Sequence, residues 1–164
     1  MKKVSMYAAV IFTILSCAGA PVKQESAIAP VSQEWIKNSN AVLLKHTLPD
    51  FSYKNAAVPD RAFHEWIAVS FPAVTAIVSQ LPPGYVLQVT GHADASGPEY
   101  PEGNRPGNLR ISQDRALRVR DALVLNGLDP ARMTAKGAGT SELLPAYPAK
   151  SMFQRRVTFK VVPQ

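Results

Sequence analysis

The sequence predicts an α/β (α+β) domain, a two-layer sandwich of helices on a mixed β-sheet. Three observations carry that expectation. Short β-rich runs such as Tyr85–Thr90 (YVLQVT) and Val157–Val162 are separated by turn residues. Two longer segments place apolar residues at helical spacing. The resulting order is strand, helix, strand, helix, strand, strand, which builds a sheet covered by its crossover helices.

The domain is expected over residues 41–164. Ala41–Leu44 and Phe51–Tyr53 read as strand-like, broken by Pro49-Asp50. From Pro59 to Leu81 the residues Phe63, Trp66, Ile67, Val74, Ile77, Val78 and Leu81 form one helical stripe. Pro72 has no backbone N–H for the preceding turn, so a kink or a second helix is expected there. The aromatic residues Phe63, Trp66 and Phe71 are assigned to core packing. Pro82-Pro83-Gly84 ends the segment, and Tyr85–Thr90 follows as a strand ended by Gly91. Ser112 is expected to cap a helix whose stripe is Ala116, Val119 and Leu123, closed by Asn126-Gly127. Met133–Lys136 and the alternating Val157–Val162 complete the sheet.

Upstream, Lys2 and Lys3 precede twelve uncharged residues, Val4–Leu15, and then the small residues Ser16-Cys17-Ala18-Gly19-Ala20. This is the order of a secretory signal peptide, and the apolar run is shorter than the roughly 20 residues a bilayer span needs. Two cuts compete. Ala18-Gly19-Ala20 has the A-x-A form but would leave Pro21 first. Ile14-Leu15-Ser16-Cys17 is similar to a bacterial lipobox, with 1–16 removed and Cys17 lipidated (palmitate among its acyl chains). Residues 17–40 read as a tether, with one helical turn over Ser32–Asn38 that turns Trp35 and Ile36 toward an apolar contact.

Composition fits one globular domain: 164 residues, 46% hydrophobic and 18% charged. A single cysteine excludes a disulfide framework and any multi-cysteine metal site. The net charge of +6 becomes +4 when Lys2 and Lys3 leave with the signal peptide. Such a balance admits an anionic polymer or nucleic acid as partner. The basic residues, Arg118, Arg120 and Arg132 among them, are scattered along the chain outside any nucleic-acid-binding motif, so nucleic acid is not expected as a partner.

Chemistry concentrates in GHADASG (91–97) and NLRISQDRALRVRDAL (108–123). Asp94 follows a strand and Arg115 is expected in the first turn of a helix, the rim where α/β sheets bind ligands. An exposed carboxylate and guanidinium there could clamp a zwitterion, Asp94 taking the ammonium and Arg115 the carboxylate. A plain surface ion pair has the same signature. Ser96, Ser112, His64, His92 and Asp94 offer hydrolase residue types without a nucleophile elbow, so no enzyme is expected. His92-x-Asp94 with His64 is too sparse a ligand set for a metal site, and no cofactor is implied.

The ordered set G-H-A-D-x-x-G, N-x-x-I-S-x-x-R-A-x-x-V-x-x-x-L, G-x-G (137–139) and Q-R-R-V (154–157) resembles the OmpA-like domain over roughly Phe51–Val162. That family includes the C-terminal domain of outer-membrane protein A and the peptidoglycan-associated lipoproteins. The resemblance implies a βαβαββ fold with helices on one face of the sheet. It also implies non-covalent binding of peptidoglycan through the diaminopimelate of its stem peptide, anchoring the outer membrane to the cell wall. Asp94 and Arg115 match the residues that hold diaminopimelate, and Asn108 and Arg155 match further groove positions. A lipid anchor in the outer membrane, facing the periplasm, and other envelope proteins as partners follow from the same resemblance; without the lipid the location is the periplasm. An envelope scaffold that uses this fold for protein contacts is the competing reading. Four features depart from the family: Ala93 in place of threonine, Gln154 in place of asparagine, a longer Pro/Gly-rich segment at 98–107, and a shorter stretch from Gly139 to Gln154.

Overall fold

The computed structural model describes residues 33–164. The expected signal peptide, Cys17, the alternative cut after Ala20 and the expected tether up to residue 32 lie outside the described residues. Strand β1 (Tyr85–Gly91) is central, with β2 (Met133–Gly137) parallel on one side and β3 (Val157–Pro163) antiparallel on the other. The register pairs Leu87 with Met133 and Val161, and Val89 with Ala135 and Phe159. Paired residues share a face, so these six form one apolar side. Gln88, with Thr134 and Lys160 beside it, marks the polar side. The alternation read from the sequence is therefore a sheet covered on one face.

Helices α1 (Gln33–Leu44), α2 (Asp60–Ser79) and α3 (Asn108–Leu125) all contribute to the single core over that face. Leu43 comes from α1; Val74, Ile77 and Val78 from α2; Ala116, Val119 and Leu123 from α3. Each fully buried Leu or Val stabilises the fold by about 1.5–3 kcal/mol. Trp66 stacks between Phe63 and Phe159, at centroid distances of 6.1 and 5.6 Å, and its indole N–H donates to the His46 carbonyl. The aromatic stripe is core, as its spacing predicts.

The N-terminal elements differ from expectation. Ala41–Leu44 is the end of α1, and the turn expected over Ser32–Asn38 is the first part of the same helix. Trp35, Ser39 and Leu43 recur every four residues, so a helix puts all three toward the core, whereas a strand would split them. Ordered structure thus begins before residue 41. Phe51–Tyr53 is also not a strand, because Asp50 and Lys54 take positive φ (65° and 59°) and turn the chain on either side of it. The first strand of the βαβαββ order is reduced to one bridge, Leu48 with Val157, bonded in both directions at 3.0 and 2.8 Å. Beside it Asn40 of α1 accepts from the Val161 N–H at 2.7 Å and donates to the Val161 carbonyl at 3.4 Å. Helix α2 runs through Pro72 as one element and does not restart there.

Helix α3 begins at Asn108, four residues before the expected cap. Its first N–H groups are satisfied by the preceding loop: Asn108 donates to the Pro98 carbonyl and Leu109 to that of Glu99. Ser112 is instead buried inside the helix, donating to the Leu109 carbonyl and accepting from the Gly139 N–H, both at 2.8 Å. The helix lies very close to the sheet. A Cβ at Gly91 would collide with the Ser112 carbonyl, and one at Gly137 would sit 2.7 Å from the Leu109 carbonyl. Glycine at these two strand ends lets α3 approach the rim where the motif residues gather.

Candidate functional site

Beyond β1 the chain stays extended: His92 donates to the Arg156 carbonyl, Ala93 to that of Gly139 and Ala95 to that of Ala149. This fixes Asp94 between two loops. The Asp94 carboxylate accepts from the Ser96 N–H through Oδ1 and from Arg155 Nη1 through Oδ2, both at 2.9 Å. Burial alone would raise its pKa, but the hydrogen bonds from Arg155 and Ser96 and the charge of Arg155 outweigh this and hold it below 3.8. Arg155 is itself anchored, its Nε donating to the Phe51 carbonyl at 2.6 Å.

Arg115 stands two turns into α3 rather than in the first turn, and it is 1% exposed. Its guanidinium donates to three backbone carbonyls: His92 at 2.7 Å, Ser52 at 2.9 Å and Asn55 at 3.0 Å. Burial, with Arg155 nearby, lowers its pKa to about 10, and Asp94 partly offsets this; the group stays cationic at neutral pH. Asp94 is 4% exposed. The open surface clamp read from the sequence is thus corrected. Both groups are largely buried, and the side chain bonded to Asp94 is Arg155 rather than Arg115.

Asp94, Arg115 and Asn108 nevertheless line one small cleft of about 40 Å³, partly open to solvent. Arg155 supports this cleft from behind Asp94 and is not in its lining. Asn108 uses its side-chain N–H to bond the Gly97 carbonyl at 2.9 Å, which ties the helix start to the motif loop. Tyr53, Lys54 and Arg105 also line the cleft. Sequence reading missed all three. The position of Arg105 in the unusual 98–107 segment was the one available signal.

Gln154 stands where the resemblance leads one to expect asparagine, and its longer amide is fully used. Fully buried, it accepts from the Leu144 N–H and donates to the carbonyls of Leu144, Tyr147 and Pro148. One amide thereby fastens the loop between Gly139 and Gln154. Glu99 similarly fastens the long loop, its carboxylate accepting from the N–H and hydroxyl of Thr140.

Other candidates have structural partners. His92 bonds Thr158 through Nε2 at 2.8 Å, and burial, then Arg156 and Lys136, push its pKa down to about 3. It is neutral at physiological pH, so the 3.8 Å approach of Glu142 is not an ion pair there. His64 is exposed and its Nδ1 faces the Asp60 carbonyl. Arg132 bonds the carbonyls of Val78 and Leu81, Arg118 lies over the Phe63 ring, and Arg120 pairs with Asp121.

The model of the OmpA family matches residues 72–156, just over half of the chain. The outer membrane porin F of Pseudomonas fluorescens is 41% identical over 59 residues, covering 36% of this chain and 16% of the porin. The chain therefore spans about a sixth of that relative's length. The peptidoglycan-associated lipoprotein of Burkholderia pseudomallei superposes with a TM-score of 0.52 at 23% identity, covering 78% of this chain and 99% of that structure. The periplasmic domain of Helicobacter pylori MotB gives 0.52 at 17% identity, with 72% and 81% covered. These two structures share the fold.

Proposed function

The chain belongs to the OmpA family, and from that footing we propose that it binds peptidoglycan without cleaving it and links the cell wall to the outer membrane. The observation that carries this reading is a single cleft lined by one carboxylate, Asp94, and one buried guanidinium, Arg115. A ligand presenting an ammonium and a carboxylate on one carbon, as each end of diaminopimelate does, meets opposite charges there.

Hydrogen-bond capacity supports the assignment. A carboxylate accepts about four hydrogen bonds and a guanidinium donates five. Asp94 accepts from Ser96 and Arg155, and Arg115 donates to three carbonyls. Each therefore retains capacity for a ligand while its own position is fixed, so little ordering is required on binding. Arg155 and Asn108 act as positioning residues.

The same proposal places the lipid on Cys17, holding the chain at the periplasmic face of the outer membrane. The lipobox-like Ile14-Leu15-Ser16-Cys17 supports it. Mass spectrometry of the mature N-terminus is expected to find an acylated Cys17, and an unmodified Pro21 start would overturn that part.

A sedimentation assay with purified sacculi tests the binding. The unmodified chain is expected to co-sediment, and Asp94→Asn, which keeps the side-chain shape, to remain in solution. Retained binding by Asp94→Asn would overturn the site. Failure of the unmodified chain to bind would favour a scaffold role in the envelope.

A further inference from the structure

The cleft carries more positive charge than a zwitterion needs. Lys54, from the segment between α1 and α2, and Arg105, from the 98–107 loop, line it together with Asp94 and Arg115. Asp94 is the one acidic residue in that lining, and it is already paired with Arg155. Three cations then face the cleft with no carboxylate of the lining left unpaired. Arg105 is not there by loose chance. Its loop is closed at the base by the bonds from Asn108 and Leu109 to the carbonyls of Pro98 and Glu99, and by Glu99 on Thr140. Within the loop Glu102 and Arg105 bond each other through both backbone groups, at 3.0 and 3.1 Å.

Neither cation is committed to a strong partner. Arg105 meets Glu102 at 3.1 Å, with the two side chains 59% and 65% exposed, an ion pair that water screens and a ligand can displace. Lys54 rests over the neighbouring Tyr53 ring at 4.9 Å. We infer that Lys54 and Arg105 form a second anion subsite, which makes the cleft selective for a ligand with a carboxylate beyond the zwitterionic centre held by Asp94 and Arg115. Given the peptidoglycan reading on which this rests, that group is the free α-carboxylate of the glutamate preceding diaminopimelate in the stem peptide. A stem whose glutamate is amidated offers no charge there.

Calorimetry with the full chain tests this, using γ-D-glutamyl-diaminopimelate with the glutamate α-carboxyl either free or amidated. The free acid is expected to bind roughly tenfold tighter, the scale of one added charge-assisted hydrogen bond. Arg105→Ala and Lys54→Ala should each narrow that ratio toward one by weakening the acid alone. Both side chains are exposed, and unchanged thermal melting verifies folding. Equal binding of the two peptides by the unmodified chain, or equal weakening of both by Arg105→Ala, would overturn the subsite while leaving the peptidoglycan reading intact. Failure to bind either peptide or sacculi would overturn both.

Discussion

Arg155 Nη1 lies 2.9 Å from Asp94 Oδ2, with the two side chains 16% and 5% exposed, across 61 positions of sequence. This pair fastens the segment before β3 to the loop after β1, and so sets the carboxylate wall of the cleft. The carboxylate comes from the middle of the domain and its support from just before the last strand.

Acid should destabilise the domain in two stages. The folded pKa of His92, about 3, lies below its ordinary 6.5, so the folded state resists protonation. Stability from this group is complete above 6.5 and falls as pH drops from there toward 3. Asp94 is also depressed, so its contribution is complete above 3.8 and is lost as pH falls through its lower folded value. Urea midpoints measured from pH 7 downward are expected to fall already near pH 6. His92→Gln should flatten the upper part of that decline, and an unchanged decline would refute the assignment to His92.

Removal of the Arg115 side chain leaves three carbonyls without their donor. Arg115→Ala is expected to cost about 3–5 kcal/mol in chemical denaturation, the scale for breaking a buried charged network. Arg115→Lys keeps the charge but not the fork, and should recover only part of this. A loss under 1 kcal/mol for Arg115→Ala would contradict the three-carbonyl geometry.

Gly91→Ala should be severe although it adds one methyl group. Its Cβ meets the Ser112 carbonyl, a backbone atom that cannot swing aside. A loss of about 3 kcal/mol or failure to fold is expected, at the upper end for overpacking. The control is Val69→Ala, at an exposed position on α2, which should change the melting temperature little.

Gln154→Ala should loosen the loop from Leu144 to Ser151 more than the rest of the domain. Hydrogen exchange is expected to show lost protection at the Leu144 amide, which donates to Gln154 Oε1 at 2.7 Å, while β1 amides stay protected. Uniform loss across the sheet would mean that Gln154 supports the core instead of the loop.

The sheet and α3 were legible because their patterns are long or strictly alternating: Val157, Phe159 and Val161 face the core as period two requires. Ala41–Leu44 was not legible, since four apolar residues fit a helix or a strand equally well. What decided was Ser39, a polar residue buried on the same helical face as Leu43. At the site, the motif brought Asp94, Asn108 and Arg115 to one cleft. Burial of Arg115 ran against the usual exposure of arginine, and its carbonyl partners at Ser52, Asn55 and His92 carry no side-chain signal in sequence. The pairing of Asp94 with Arg155 depended on tertiary closure over a long separation.

The contacts of Asn40 and Leu48 with β3 have a consequence for self-association. A strand at the margin of a sheet exposes unpaired N–H and C=O groups that can recruit a strand from another molecule. On β3 those groups are occupied at Val157 by Leu48 and at Val161 by the Asn40 amide. An incoming strand would have to displace both before extending the ladder. With the fourth strand reduced to one bridge, Leu48 and the Asn40 amide together obstruct that margin, and a residue on a helix helps to guard the sheet against edge-to-edge aggregation.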